Sequence, residues 1–170
     1  ILHGTHGEDG TIQGYFDTLE VPYAGGGVLD SALCMDKHFM KIALRAAGLS
    51  VAAGLTVRAR QWAQEAAAVR AAAAELGLPL FVKPARAGSS VGVSKVEHPD
   101  ELDAALAIAF AEDDKVLIET GVVGREIEVA VLEGADGVRA SLPGEIVLTS
   151  RGFYDFEGKY LGGDGVDVVC

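Results

Sequence analysis

Residues 82–96 read "VKPARAGSSVGVSKV", and this stretch decides how the rest of the chain is interpreted. Its β-branched ends predict two β-strands joined only by the short segment "ARAGSS". Small residues such as Gly88, Ser89 and Ser90 let backbone N–H groups approach an anion, and Lys83 supplies a positive charge. The stretch therefore favours a phosphate-binding hairpin. The alternative is an ordinary β-turn with Lys83 on its solvated face.

The hairpin differs from two common phosphate-binding loops. A P-loop places its glycines between a strand and a helix, with the lysine after them, whereas Lys83 precedes the glycines here and a second strand follows them. The dinucleotide-binding pattern GxGxxG is also absent. A phosphate would therefore meet a strand-to-strand hairpin rather than a helix N-terminus.

Helix and strand patterns alternate on both sides of the hairpin. Helices are predicted after Asp9, from the N-cap Asp36 to Gly48, over 62–76 and from Pro99 onward. Further strands are predicted over 51–57, 115–119 and, as one continuous piece, 125–133. This alternation predicts an α/β fold.

Composition excludes several classes of protein. The 170 residues carry a net charge of −11, with 49% hydrophobic residues and 22 glycines, as in a globular α/β protein. No stripe of Lys and Arg suits a nucleic acid, and no apolar run approaches the roughly 20 residues that span a bilayer. Cys34 and Cys170 lack disulfide or zinc spacing. We therefore expect a cytoplasmic protein with small-molecule partners.

Two residues outside the hairpin are candidates for the same site. Lys37 lies at the start of a predicted helix, where the helix dipole mildly disfavours a cation. Taken alone, it is better explained as a solvated surface lysine. Glu119 ends the apolar strand "KVLIE", where it could accept from a ribose hydroxyl or an exocyclic amine, or could simply mark the strand boundary.

Both ends of the chain are unusual. The chain starts at Ile1 in "ILHG", which is typical of the end of a buried strand, and stops in "VDVVC", which is typical of the middle of another. These ends predict that the chain is a fragment of a longer protein.

Six motifs together carry a resemblance to a known family. They are, in chain order, "HGTHGEDGTIQG", "MDK", "GLPLFVKPARAGSSVGVSKV", "VLIE", "GREIEVAVLE" and "FYDFEGKY". Their order and spacing resemble those of D-alanine–D-alanine ligases, the ATP-grasp enzymes that make the dipeptide end of peptidoglycan precursors for the bacterial cell wall and so maintain cell shape. The resemblance runs along nearly the whole chain.

The resemblance implies an α/β fold cut from a three-domain ligase. Residues 1–36 would finish the N-terminal domain, residues 37–122 would form the central ATP-grasp subdomain, and residues 123–170 would begin the C-terminal subdomain with its omega loop. ATP would lie between two antiparallel sheets, beneath the small-residue hairpin.

The resemblance also implies a role for each matching residue at the nucleotide. These roles are, in chain order, Lys37 and Lys83 at the α and β phosphates, Ser89 and Ser90 in the covering hairpin, Glu119, Thr120 and Val122 at adenine, and Glu126 at the ribose.

The family reaction passes through an acyl phosphate, and the resemblance assigns residues to it. Lys159 would reach the transferring phosphate. Ser89 and Tyr160 would belong to a hydrogen-bonded trio whose third member, a glutamate, is not in this chain; Tyr160 could also anchor a loop. His3 and Glu8 would line the substrate side.

Some of the family's machinery has no counterpart among these residues. The resemblance implies that the Mg²⁺ ligands and a transition-state arginine would lie beyond residue 170, so no metal ligand is assigned and the isolated fragment is expected to be inactive. Phe156 replaces a family tyrosine. Alternatives are a ligase joining D-alanine to D-lactate or D-serine, another ATP-grasp carboxylate–amine ligase, or an inactive nucleotide-binding fragment. A homodimer is compatible with each of these functions.

Overall fold

The computed structural model describes residues 2–148 and 166–169. The chain divides into two compact units, Ile1–Gly121 and Val122–Cys170, and each is described by itself. None of the helices in these described ranges is long and apolar enough to cross a bilayer.

The first unit combines one sheet with five α-helices. The helices are α1 (Thr11–Thr18), α2 (Val28–Met35), α3 (Lys37–Ala46), α4 (Ala59–Leu76) and α5 (Leu102–Glu112), the last preceded by a 3-10 turn at Pro99–Glu101. The strands are β1 (Gly54–Arg58), β2 (Leu80–Pro84), β3 (Ser94–Val96) and β4 (Lys115–Thr120). They form an antiparallel sheet in the order β1-β4-β2-β3.

One face of this sheet forms the hydrophobic core. Val57 pairs with Val116, and Val82 pairs with Ile118; all four side chains are fully buried and pack with apolar residues of α4 and α5. Burying one such side chain stabilises the fold by roughly 1.5–3 kcal/mol. The core therefore fixes the strand register, because a one-residue slip would turn these side chains to the opposite face.

The opposite face of the sheet carries polar side chains towards α3. Thr56 Oγ1 lies 2.8 Å from His38 Nδ1 of α3. Lys83, Lys115 and Glu119 occupy alternate positions of β2 and β4 and share this face. Because β4 has neighbours on both faces, five of its six residues are buried, which explains why it reads as a continuous apolar run.

The described part of the second unit, residues 122–148 and 166–169, has five strands in two small sheets. The strands are β5 (Glu126–Glu128), β6 (Val131–Gly134), β7 (Gly137–Ala140), β8 (Gly144–Leu148) and β9 (Val166–Val169). One sheet has the order β5-β8-β9, and the other pairs β6 with β7.

The prediction of one continuous strand over 125–133 is wrong. Its two halves, β5 and β6, pair in different sheets. Ala130 lies between them, where its N–H donates to the Ser141 hydroxyl at 3.0 Å and its carbonyl accepts from the Ser141 N–H at 2.8 Å. A side chain therefore takes the place of a ladder hydrogen bond, and the strand is interrupted.

The other sequence predictions of elements are confirmed apart from their ends. Asp36 caps α3 as predicted, since its carboxylate accepts from the N–H groups of His38 and Phe39. The helix predicted over 62–76 begins three residues earlier, at Ala59. Helix α2 was not predicted, because it follows a run of three glycines and contributes no buried residue.

Candidate functional site

The glycine hairpin, which we define as residues 82–96, reverses the chain from β2 to β3 through a strained turn. Ser89 and Ser90 have φ angles of 53° and 60°, and Gly92 has a φ of 69°. The left-handed region costs an L-residue roughly 1–2 kcal/mol, so two consecutive serines in it are unusual. Strain of this kind is concentrated at ligand-binding turns, which makes this turn a candidate for such a role.

Lys37 joins helix α3 to the start of the glycine hairpin. Its backbone N–H donates to the Ala85 carbonyl at 3.0 Å, and its ammonium donates to the Ala87 carbonyl at 2.5 Å. Burial, together with the positive charge of Lys83, lowers the pKa of Lys37. A buried cation that is repelled by another cation is stabilised by an incoming anion.

A buried ion pair fixes the N-terminus of α3 against the sheet. Asp36, which caps the helix, also pairs with the ammonium of Lys115 in β4, and both residues are buried. Lys115 Nζ lies 4.7 Å from the ring centroid of Phe39, where the aromatic face adds an attractive contact. These contacts anchor α3 beside β4 and thereby orient the lysines of the helix.

Glu119 lies between two lysines. Its Oε1 is 2.8 Å from Lys41 Nζ, and its Oε2 is 2.7 Å from Lys83 Nζ. The carboxylate side chain is only 4% exposed. Burial by itself raises the pKa of Glu119, but the positive charges of Lys83 and Lys41 outweigh it, so the pKa lies below its ordinary value. Glu119 is therefore a buried, ionised acceptor.

These groups line one open cleft, which we call the lysine cleft. It has a volume of about 610 Å³, within the range of small-molecule sites. Its lining residues come from the segment before α1, from α2 and α3, from β2 and β4, and from the glycine hairpin: Glu8, Cys34, Met35, Lys37, Met40, Lys41, Lys83, Ala87, Gly88 and Glu119. The ammonium groups of Lys37, Lys41 and Lys83 in this cleft suit a polyanion.

The predicted substrate residues near the N-terminus differ in their placement. Glu8 lines the lysine cleft, and its Oε2 accepts from the Gly4 N–H at 2.6 Å. His3 Nδ1 lies 3.4 Å from Glu8 Oε1, but the His3 side chain is 81% exposed and is not part of the cleft lining. The structure thus brings Glu8, Lys37, Lys83 and Glu119 together, with His3 attached through Glu8.

Thr120, Val122 and Glu126 are not among the residues that line the cleft. Thr120 directs its hydroxyl to the Leu76 carbonyl at 3.5 Å, away from the cleft, so only its main chain could meet a ligand there. Val122 is 76% exposed and Glu126 begins β5; both belong to the second unit. Lys159 and Tyr160 lie outside the described residues.

Sequence reasoning missed Lys41. Its spacing of four residues from Lys37 places the two ammonium groups on the same face of α3, and that spacing is the signal that could have identified it. Within residues 2–148 and 166–169, no group of three or more His, Cys, Asp or Glu side chains is arranged to hold a metal ion.

The chain matches one family model and many curated proteins. The model described as "D-ala D-ala ligase C-terminus" matches residues 43–170. The D-alanine–D-alanine ligase of Kocuria rhizophila is 53% identical over all of this chain and 45% of its own length. The ligase of Pseudarthrobacter chlorophenolicus is 52% identical over all of this chain and 46% of its own length. The chain thus spans a little under half the length of these relatives.

Solved structures agree with these sequence matches. The VanG D-Ala:D-Ser ligase of Enterococcus faecalis is 42% identical with a TM-score of 0.84, over 99% of this chain and 47% of its own. The D-alanyl-alanine synthetase A of Vibrio cholerae is 33% identical with a TM-score of 0.83, over 98% of this chain and 50% of its own. These neighbours confirm the predicted α/β, ATP-grasp fold class. The chain therefore belongs to the D-alanine–D-alanine ligase family.

Proposed function

We propose that this chain supplies the nucleotide-binding part of an ATP-dependent D-alanine–D-alanine ligase that serves peptidoglycan synthesis. One observation carries the proposal: in a chain of this family, Lys37, Lys41 and Lys83 meet the ionised Glu119 in a single cleft beside the glycine hairpin. Ammonium groups suit the phosphates of ATP, and a buried carboxylate suits its exocyclic amine or a ribose hydroxyl.

The proposed nucleotide contacts follow the charges of the cleft. Lys37 and Lys83 bind the α and β phosphates, and the glycine hairpin, including Ser89 and Ser90, covers them. Four further residues complete this proposal: Glu119 and the main chain of Thr120 and Val122 at adenine, and Glu126 at the ribose. Lys37 is well suited to its role, because a phosphate would offset the burial and the repulsion from Lys83 that together lower its pKa.

The proposed reaction has two steps. The carboxylate of one D-alanine attacks the γ-phosphate of ATP, breaking its bond to ADP and forming an acyl phosphate. The amine of a second D-alanine then attacks the acyl carbon, and phosphate leaves from the tetrahedral intermediate. The chain contributes by positioning and by neutralising charge, which supply most of the rate in phosphoryl transfer.

Other roles in the proposal concern the D-alanine substrates and the transferring phosphate. His3 and Glu8 face the D-alanine side, Lys159 reaches the transferring phosphate, and Ser89 and Tyr160 share a hydrogen-bonded trio. Mg²⁺ would supply further charge neutralisation at the phosphates, and the described residues offer no ligand cluster for it. The chain then comprises the end of the N-terminal domain at 1–36, the central ATP-grasp subdomain at 37–122 and the start of the C-terminal subdomain at 123–170. The protein works in the cytoplasm, as a homodimer.

The test is product analysis on the intact protein. With ATP, Mg²⁺ and D-alanine, we expect equal amounts of ADP and D-alanyl-D-alanine, measured by mass spectrometry. Hydrolysis of ATP without a dipeptide would refute ligation. D-serine is the second candidate acceptor, because the VanG structure is that of a D-Ala:D-Ser ligase. A mixture of D-alanine and D-serine decides between them by the dipeptide that accumulates.

A further inference from the structure

Two lysines pair with the single carboxylate of Glu119, although one cation would be enough to balance its charge. Lys41 and Lys83 approach its two oxygens separately, at 2.8 Å and 2.7 Å. The proposed function, on which this inference rests, gives Lys83 a second partner, the nucleotide phosphate. When ATP is bound, Lys83 is therefore shared between a polyphosphate and Glu119, and its interaction with Glu119 weakens.

Three features of Lys41 favour a contact with Glu119 that persists when Lys83 binds phosphate. It lies one helical turn after Lys37 on α3, whose N-terminus is fixed by the buried pair of Asp36 and Lys115. Its side chain is 16% exposed, compared with 25% for Lys83. Among the described residues, the Lys41 ammonium makes no other hydrogen bond or ion pair.

The sheet also leaves space for the Glu119 side chain. Gly54 of β1 pairs directly with Glu119. A Cβ at this glycine would lie 3.0 Å from Glu119 Cγ and 2.5 Å from the Ile118 carbonyl oxygen. Glycine at this position therefore leaves room for the Glu119 side chain, whose carboxylate both lysines reach.

The charge on Glu119 determines which base it can recognise. An ionised carboxylate only accepts hydrogen bonds, so it attracts the 6-amino group of adenine and repels the 6-oxo group of hypoxanthine or guanine. A protonated carboxyl group can donate to a 6-oxo group and loses this selection. A carboxylate as buried as Glu119 protonates readily when its cations are withdrawn.

We propose that Lys41 is a positioning residue for nucleotide selection. It keeps Glu119 ionised and in place while Lys83 engages the phosphates, and so maintains the preference for a 6-amino over a 6-oxo purine nucleotide. Lys41 acts through Glu119 and makes no contact of its own with the base.

The experiment compares ATP with ITP, which carries a 6-oxo group in place of the 6-amino group and a proton on N1. Dissociation constants for both are measured by calorimetry on the intact protein. In Lys41→Met, we expect the ATP-to-ITP preference to fall about tenfold, through weaker ATP binding and unchanged or tighter ITP binding. Lys41→Arg keeps the charge and should restore most of the preference. Arg45→Gln removes a charge one turn further along α3 and should leave the preference unchanged.

Each outcome separates this inference from the proposed function. If the parent protein binds neither nucleotide, the proposed function fails. If the parent prefers ATP and Lys41→Met keeps that preference, or loses affinity for ATP and ITP equally, Lys41 is not a positioning residue and only this inference is overturned. A parent that binds both nucleotides equally overturns it as well.

A second variant at position 41 tests the inference if Lys41→Met does not fold. Lys41→Met leaves a buried carboxylate with one cation fewer, so thermal unfolding is followed in parallel. If that variant does not fold, Lys41→Gln keeps a hydrogen-bond donor near Glu119 but removes the charge. Its ATP-to-ITP preference should fall in the same direction, and an unchanged preference overturns the inference.

Discussion

Replacing Gly92 with alanine should destabilise the first unit through the turn of the glycine hairpin. Gly92 has a φ of 69°, and an added Cβ would lie 2.7 Å from Pro84 Cγ and 2.9 Å from Glu112 Cγ. The left-handed backbone costs alanine about 1 kcal/mol. The overpacking costs roughly 1–3 kcal/mol more, since the proline ring cannot rotate away. We expect a loss of about 3 kcal/mol in the free energy of unfolding.

Gly88→Ala is the matched control, because it makes the same change in the same turn. A Cβ at Gly88 meets no heavy atom within 4 Å, so the free energy of unfolding should change by less than about 1 kcal/mol. Urea denaturation followed by circular dichroism measures both variants. Calorimetry on folded Gly92→Ala should also show weaker ATP binding, because the turn is displaced. Equal unfolding midpoints for the two variants would refute the reasoning.

Three other variants test separate parts of the account. Lys83→Met should weaken ATP binding by roughly 2–4 kcal/mol in calorimetry without loss of fold, whereas Lys95→Met, in the same hairpin, should not. Burial raises the pKa of Asp113, but hydrogen bonds from Arg86 and Lys115 outweigh burial and lower this pKa from 3.8 to about 2. The stability that the ionised carboxylate contributes is therefore present above about pH 4 and is lost as the pH falls through 2. Asp113→Asn should therefore cost about 2 kcal/mol near neutral pH and flatten the acid limb of an unfolding titration. Tyr160→Phe should leave ATP affinity unchanged but relax the choice of second substrate, which competition by D-serine and D-lactate measures; identical competition in both proteins would leave Tyr160 a packing residue.

Local chemistry explains which elements could be predicted from the sequence. The cap at Asp36 depends on one side chain and the two N–H groups that follow it, and the strands on either side of the glycine hairpin depend on short runs of β-branched residues. The division of 125–133 into β5 and β6 could not be read from alternation. It depends on Ser141, which lies eleven residues from the Ala130 N–H that it binds.

The candidate site shows the same limit. Lys37, Lys83 and Glu119 could each be suggested from sequence, but every one of them had an ordinary structural explanation. What distinguishes them is their convergence, which depends on α3 packing on the polar face of the sheet through Lys115 and Thr56. The pairing of Lys41 with Glu119 spans 78 positions along the chain, so only the fold could reveal it.

The most direct test of the lysine cleft as an ATP site is a crystal structure of the intact protein with a non-hydrolysable ATP analogue. The account predicts that Lys37 Nζ and Lys83 Nζ lie within about 3 Å of phosphate oxygens, beneath the glycine hairpin, with the Glu119 carboxylate at the exocyclic amine and Lys41 still on Glu119. A nucleotide bound outside this cleft, or bound within it with its phosphates away from both lysines, would contradict the account.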